Sequence, residues 1–149
     1  MITIKRTNSA NKDFRKLVGY LDDYLAKANR TPHSICKSCN KIDTIKHCII
    51  IYSANEAVGC GAIREYSPDT MEIKRMFVVE SERRRGIASI ILNELEQWAK
   101  ELNFGRCILE TSNKLPQAIA LYRMKGYSQI PNYGQYECLD SSICFSKDI

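Results

Sequence analysis

The chain has 149 residues, of which 44% are apolar and 26% are charged. These are ordinary values for a globular protein, so a long disordered segment is not expected, and the length fits one domain over residues 1–149. No apolar run approaches the roughly 20 residues that cross a membrane. The first residues lack the apolar core of a secretion signal, so a cytoplasmic protein is expected.

The net charge of +5 is modest, and it is partly concentrated at positions 83 to 85. Elsewhere the basic residues alternate with acidic ones, which argues against a phosphate-tracking stripe and therefore against a nucleic-acid-binding protein. A local cluster of arginines instead indicates a small anionic ligand.

Seven cysteines are scattered along the chain, mostly in apolar runs where cysteine behaves as a small hydrophobe. A reduced protein is expected rather than a disulfide framework. Cys60 and Cys107 each lie in a predicted strand without a neighbouring base, which argues against a thiol nucleophile.

Four potential zinc ligands follow one another at His33, Cys36, Cys39 and His47. A second ligand pair at finger-type spacing is missing, so we expect ordinary loop residues and no bound metal.

Apolar periodicity predicts the elements of the first half of the chain. Alternation over residues 2–5 indicates a short strand, and apolar residues at helical spacing predict a helix over about 12–28. Residues 30–44 have no clean period and are interpreted as a loop with at most one helical turn. Three β segments follow, separated by the turn signals SANE and SPDT, and read as an antiparallel meander: HCIIIYS, AVGCGAIREY and MEIKRMFVV.

The second half predicts a long amphipathic helix over about 87–102, and then the strand CILET, whose apolar character indicates burial on both faces. Pro116 suits the first position of another helix, which ends near Gly126. Residues 127–130 and 143–146 are predicted terminal strands. This order of elements predicts a mixed α/β fold with a parallel strand pair joined by the long helix.

The stretch with the clearest chemistry is the turn between the third β segment and the long helix. Arg83, Gly86 and Ala88 form the pattern RxxGxA at the helix start. Free N–H groups and the helix dipole favour phosphate there, glycine lets the backbone approach a ligand, and arginine supplies charge-assisted hydrogen bonds. A basic solvated turn is the alternative, but the strand before it and the strong helix after it favour a pyrophosphate site.

The segment from Arg83 to Ala88, preceded by EIKRMFV, resembles the cofactor motif (Q/R)xxGx(G/A) of the GNAT superfamily of N-acetyltransferases. The segment AIALYRMKGY, from Ala118 to Tyr127, is similar to the family's AxxLYxxxGF segment. The two motifs have the right order and spacing, and the resemblance extends from Val58 to Tyr127 and more faintly beyond. It is typical of a small, single-domain, bacterial-type branch.

The resemblance implies a central mixed sheet of six to seven strands flanked by helices on both faces. A splayed parallel strand pair would form the slot for acetyl-CoA. The strand main chain would bind the pantetheine arm, the helix start would cradle the pyrophosphate, and the amide near Met76 would face the thioester carbonyl. The residues implied in cofactor binding are Met76, Phe77, Val78, Val79, Arg83, Arg84, Arg85, Gly86, Ile87, Ala88, Ser89, Asn113, Tyr122 and Lys125.

The resemblance also implies the catalytic residues. Tyr122 matches the tyrosine that protonates the departing CoA thiolate, and this role is favoured over the alternative of a packed core residue of the helix. Glu72 has the spacing of the carboxylate base in the histone-acetylating branch; the alternative is a strand-end glutamate that faces solvent or pairs with Lys74 or Arg75. Glu110 is a weaker candidate, because a buried strand offers it little access to substrate.

The sequence departs from the family pattern at Leu115, where an asparagine often contacts pantetheine; Asn113 could replace it. Arg123 and Lys125 could reach the 3′-phosphate or form a solvated helix face. Tyr127, Tyr133 and Tyr136 could line the acceptor site or pack at a sheet edge.

An acetyl-CoA-dependent N-acetyltransferase acting directly on an amine is therefore the expected function, and a non-catalytic acyl-CoA-binding module is the alternative. In this family the first helix and the loop at 30–44 usually shape the acceptor pocket. Their sequence does not distinguish small amines, aminoglycosides, polyamines and protein termini. Family members are often dimers, so a homodimer is an open alternative.

Overall fold

The computed structural model describes residues 1–29 and 45–149, so the loop predicted at 30–44 lies outside the described residues. Seven β-strands and three α-helices form in these two ranges. The strands are β1 (Ile2–Thr7), β2 (His47–Ser53), β3 (Glu56–Ser67), β4 (Thr70–Val78), β5 (Arg106–Ser112), β6 (Ser128–Ile130) and β7 (Ser142–Asp148). The helices are α1 (Lys12–Asn29), α2 (Ile87–Glu101) and α3 (Pro116–Met124).

All seven strands belong to one sheet, in the order β1-β2-β3-β4-β5-β7-β6. The strand pairs are antiparallel except β4 and β5, which run parallel. A parallel pair requires a crossover, and α2 supplies it. The mixed sheet, the meander β2-β3-β4 and the parallel pair are as predicted, and the strand count is seven.

The two faces of the sheet carry different helices, and strand β2 shows the alternation directly. Cys48 and Ile50 pack with the buried face of α1, whereas Ile49 and Ile51 pack with α2. Helix α1 begins where the Asn11 side chain accepts hydrogen bonds from the backbone N–H groups of Asp13 and Phe14, at 2.8 and 3.1 Å. Helices therefore cover both faces, as predicted, and none in the described part of the chain is long and apolar enough to span a membrane.

Strand β4 is irregular at the position that matters for the site. Its register against β3 shifts between the pairs Phe77–Cys60 and Lys74–Ala62, so that one extra residue is accommodated on β4. Arg75 has a left-handed backbone with φ of 59°. This is the geometry of a β-bulge, which releases backbone groups from the ladder and re-aims side chains. The bulge was not predicted, because EIKRM reads as an ordinary strand.

The parallel pair opens part-way along its length. Strands β4 and β5 are paired from Thr70 and Arg106 as far as Ile73 and Leu109, and both continue beyond that point without pairing to each other. The two strands therefore splay at their carboxyl ends. Glu110 is the first β5 residue past the last pair, and only about half-buried, so the expectation that its strand denies it access was wrong.

Candidate active site

A cavity of about 1100 Å³ occupies the splay and extends to the start of α2. It is lined by most of β4, the turn that leads into α2, the end of β5, helices α1 and α3, and residues between Tyr136 and Ser142. The carboxyl ends of strands beside a crossover are a common place for ligands in α/β sheets. Of the predicted site residues, the ones that line this cavity are Glu72, Met76, Phe77, Val78, Arg83, Arg84, Gly86, Ile87, Ala88, Ser89 and Tyr122.

The start of α2 has the features that favour binding of an anion. Gly86 precedes the helix with φ of 77°, and no side chain caps the first turn. Arg84 is also left-handed, with φ of 66°, and it is exposed beside the helix start. Alternating left-handed residues turn successive N–H groups towards one point, forming an anion-binding concavity. The helix dipole and the Arg84 guanidinium add positive charge to it.

The main chain of β4 presents one residue to the splay. Residues of an antiparallel strand alternately face their partner and face away. The N–H of Val79 donates to the Val58 carbonyl at 2.9 Å, so Val79 and Phe77 face β3, and Val78 faces the splay. The backbone groups of Phe77 and Val79 face β3 and are used in the ladder with that strand. Of the three residues predicted to contact pantetheine through the main chain, Val78 is therefore the one that faces the splay.

Arg83 points inwards. Its Nε–H donates to the Val78 carbonyl at 2.8 Å, and its guanidinium carbon lies 4.7 Å from the ring centre of Tyr24 and 5.6 Å from that of Phe77. The side chain is half-buried, whereas Arg84 and Arg85 are exposed. The three consecutive arginines thus have different surroundings, which their shared residue type did not reveal.

Tyr122 on α3 is buried, with its ring against Tyr127 and Phe145 at centre distances of 5.9 and 6.2 Å. It nevertheless lines the cavity, and its hydroxyl has no hydrogen-bond partner within residues 1–29 and 45–149. Burial, and to a smaller degree the charge of Glu110, raise the pKa of this phenol. The phenol therefore keeps its proton at neutral pH.

Glu110 lines the same cavity on the α1 face of the sheet. One carboxylate oxygen accepts a hydrogen bond from the Ser142 hydroxyl at 2.6 Å. Burial raises the pKa of Glu110, while the hydrogen bond from Ser142 and the charge of Lys74 oppose that rise. A carboxylate with a raised pKa is a stronger base than a solvated one. The sequence named Glu110 only as a weaker candidate, although it is the single charged residue of the otherwise largely apolar segment CILET.

Glu72 is buried and engaged on both oxygens. One accepts a hydrogen bond from the Tyr133 hydroxyl at 2.7 Å, and the other lies 3.5 Å from the Lys74 ammonium. Lys74 in turn donates to the Tyr136 hydroxyl at 3.3 Å, and burial lowers the pKa of this lysine. The solvated strand end considered for Glu72 is excluded. Of the three tyrosines considered for the acceptor site, Tyr136 lines the cavity, whereas Tyr133 and Tyr127 do not.

Four predicted cofactor-binding residues lie outside the cavity lining: Val79, Arg85, Asn113 and Lys125. Arg85 makes an ion pair with Glu82 at the surface. The backbone N–H of Asn113 donates to the Ser141 carbonyl at 2.7 Å, which holds that residue at the exposed end of β5. Their contacts with a ligand stay predictions.

These residues can be compared with known proteins. Residues 12–127 match the family model described as the acetyltransferase (GNAT) family. The chain belongs to the GNAT family. The N-acetyltransferase YjgM of Escherichia coli, itself uncharacterised, is 35% identical over 85 residues, which cover 54% of this chain and 50% of that protein. An IAA acetyltransferase of Azospirillum brasilense is 32% identical over 89 residues, covering 59% and 58%. The chain thus spans little more than half the length of these curated relatives.

Solved structures of GNAT proteins share the fold over the whole chain. A Klebsiella pneumoniae protein assigned as an acyl-CoA N-acyltransferase superposes with a TM-score of 0.84 at 25% identity, covering 99% of this chain and 97% of that one. A GNAT acetyltransferase of Elizabethkingia anophelis, solved with acetyl-CoA bound, gives a TM-score of 0.73 at 18% identity, covering 99% and 98%.

The residues of this GNAT chain suit acetyl-CoA chemically. The concavity at Arg84 and Gly86 suits a diphosphate, the Val78 N–H faces the splay where an amide chain could add to the sheet, and Tyr122 lies deeper with its proton retained. No His, Cys, Asp or Glu cluster suited to a metal occurs in the described ranges, and His33, Cys36 and Cys39 lie outside them.

Cys60 and Cys107, the thiols considered from the sequence, are buried and poorly suited to act as nucleophiles. The cysteines in the part of the chain that the structure describes are free, and burial raises the pKa of Cys107 to about 12 and that of Cys60 further. A thiol that stays protonated at neutral pH is a poor nucleophile. This agrees with the sequence-based argument against thiol catalysis.

Proposed function

We propose that this chain is an acetyl-CoA-dependent N-acetyltransferase that transfers the acetyl group directly to a primary amine of a small molecule or peptide. The observation that carries the proposal is the early end of the β4–β5 ladder at Ile73 and Leu109, which opens one cavity from the anion-binding helix start to Glu110 and Tyr122. Acetyl-CoA supplies an activated thioester, and the chain supplies binding, orientation and proton transfer.

Binding would use the two ends of the cavity. The N–H groups around Arg84 and Gly86 would hold the diphosphate, and Val78 would hydrogen-bond the pantetheine arm. The β4 bulge supports the oxyanion role proposed for Met76, because Arg75 and Met76 have no partner in the β3 register. An N–H released from the ladder at this point could donate to a developing oxyanion.

Proton transfer would use Tyr122 and a carboxylate. The amine attacks the thioester carbonyl, the carbon–sulfur bond breaks, the amine loses a proton to the base, and Tyr122 protonates the departing thiolate. Glu110 is better suited to be the base than Glu72, since it faces the cavity with a raised pKa, whereas the oxygens of Glu72 already contact Tyr133 and Lys74.

The test is release of free thiol from acetyl-CoA by purified protein in the presence of benzylamine, spermidine, kanamycin or a short peptide with a free amino terminus. Turnover with at least one amine, and an acetylated product seen by mass spectrometry, is the expected result. Tight CoA binding without turnover on a broad amine panel would favour the alternative, a non-catalytic acyl-CoA-binding module.

A further inference from the structure

The side chain of Arg83 connects the cofactor strand with helix α1. Its Nε–H binds the carbonyl of Val78, the β4 residue whose main chain faces the splay. Its guanidinium lies over the ring of Tyr24, which projects from the last turns of α1. One planar group thus contacts both elements, and a cation over an aromatic ring within about 6 Å is an attractive arrangement.

Helix α1 forms a wall of the same cavity. Leu21, Tyr24 and Leu25 line it, on the face of the sheet that also presents Glu72, Lys74 and Glu110. Tyr24 is about 38% exposed, and its ring centre is 6.3 Å from that of Phe77. Asp22 of α1 also pairs with the buried Arg75 of β4 at 2.9 Å, so the contact with Arg83 adds to this ion pair in holding the end of the helix against the strand.

We propose that Arg83 is a positioning residue for the acceptor side of the cavity: it fixes the Tyr24 wall of α1 to the cofactor strand at Val78, and it does not bind phosphate with its side chain. The inference rests on the proposed function for its kinetic test. Arg84 is the arginine of this turn that is exposed and left-handed at the helix start, where a diphosphate would lie.

The contacts of Arg83 distinguish a positioning role from a phosphate-binding role. The Arg83 guanidinium donates through Nε to a β4 carbonyl and lies over two aromatic rings, so it is already engaged within the protein, whereas Arg84 is exposed at the start of α2. Lysine has no planar group that could donate to Val78 while lying flat over Tyr24, so it should not replace Arg83. A phosphate contact, in contrast, would tolerate lysine as a point charge.

The experiment measures the KM for the best acceptor of the amine panel and the Kd for CoA in the same set of variants. Arg83→Met should raise the acceptor KM by roughly threefold to tenfold, from the size of an exposed to partly buried cation–π contact, and change the Kd for CoA less than about twofold. Arg84→Gly preserves the left-handed backbone and removes the charge, so it should raise the Kd for CoA by about tenfold or more.

A double-mutant cycle tests the contact itself. Tyr24→Leu should raise the acceptor KM as Arg83→Met does, and the double variant should be no worse than either alone. Tyr20→Leu is the matched control, because Tyr20 is exposed on the same helix one turn earlier and does not line the cavity. Thermal melting of each variant checks that the fold is retained.

Three results would overturn the proposal: an Arg83→Met variant that weakens CoA as much as Arg84→Gly, an Arg83→Lys variant that restores the wild-type acceptor KM, or additive effects of Arg83→Met and Tyr24→Leu. If no amine is acetylated by the wild-type protein, the proposed function fails instead, and the CoA affinities alone still decide whether Arg83 binds phosphate.

Discussion

Tyr122 illustrates how one side chain can serve both packing and chemistry. Its ring packs on Tyr127 and Phe145, and its hydroxyl is left for the cavity. Tyr122→Phe should therefore retain the fold and the affinity for CoA but lower kcat by about a hundredfold, the lower range for loss of a general acid. Steady-state kinetics beside a CoA titration checks this, and an unchanged kcat would leave Tyr122 as a packing residue only.

The pH dependence of kcat/KM should distinguish Glu110 from Glu72 as the catalytic base. A base must be deprotonated, so kcat/KM should fall as the pH drops through the pKa of Glu110, which burial holds above its usual 4.5. Glu72 raises this pKa further, and Lys74 and Ser142 lower it. Glu110→Gln should remove that acid limb and cost about a hundredfold in rate.

Glu72→Gln is the matched control for this pH profile. It should keep the acid limb, although loss of the contacts to Tyr133 and Lys74 will affect the site wall. An acid limb that persists in Glu110→Gln and disappears in Glu72→Gln would assign the base to Glu72, as the resemblance first implied.

Sequence and structure differ most at the scale of single residues. RxxGxA and AxxLY identified Gly86 and Tyr122 because each motif is continuous in the chain. Glu110 was named from the sequence only as a weaker candidate, because its access depends on where the β4–β5 ladder ends. The contact between Glu72 and Tyr133 joins residues far apart in sequence, which no local pattern specifies.

Among the elements, the seating of α2 on the sheet depends on two glycines of β3. A Cβ built on Gly61 would lie 2.6 Å from a methyl carbon of Ile91, which is fully buried. Gly61→Ala should therefore destabilise the fold by about 1–3 kcal/mol, because the helix or the strand must move. Denaturant unfolding measures this, and a variant as stable as wild type would show that α2 is not closely packed there.

Gly19→Ala is the opposite control at the same scale. Nothing lies within 4 Å of its added methyl group, and the residue is inside helix α1. Alanine should stabilise the protein by about 0.5–1 kcal/mol through helix propensity. A comparable loss of stability in both alanine variants would indicate a general effect of substitution and not a specific contact.

The order of elements was predictable because each has a strong local period: alternation in β2, and helical spacing in α1 and α2. The boundaries moved by a few residues at most; β1, for example, extends to Thr7. The bulge at Arg75 was not readable, since it arises from register between strands and leaves no mark on hydrophobic alternation. The splay of β4 and β5 was expected only through the resemblance to the GNAT family, and the structure places its start after Ile73.

At the scale of the whole molecule, we expect the carboxylate of Glu110 to lower the free energy of unfolding at neutral pH. The pKa of Glu110 is higher in the folded chain than in an unfolded one, so the folded state holds its proton more tightly. Its contribution to the free energy of unfolding is therefore present below the unfolded pKa of about 4.5 and is lost as pH rises through the folded pKa. At neutral pH, Glu110→Gln should melt at a higher temperature than wild type while being less active.

The difference in melting temperature between Glu110→Gln and wild type should become smaller at low pH. Near pH 4 the wild-type carboxyl is already protonated in the folded state, so the advantage of glutamine should decrease there. The glutamine side chain can still accept the hydrogen bond from Ser142, so the variant and the wild type differ at this position mainly in charge. A variant that melts below wild type at pH 7 would contradict the assignment of a buried, destabilising carboxylate.

The central claim is that the start of α2 binds the diphosphate of CoA, and calorimetric titration of CoA tests it most directly. Wild-type protein should bind CoA, and charge reversal of Arg84 and Arg85 to glutamate should weaken binding by about tenfold or more, because charge-assisted hydrogen bonds are lost and repulsion is introduced. A wild-type protein that does not bind CoA, or a reversed variant with unchanged affinity, would contradict the account.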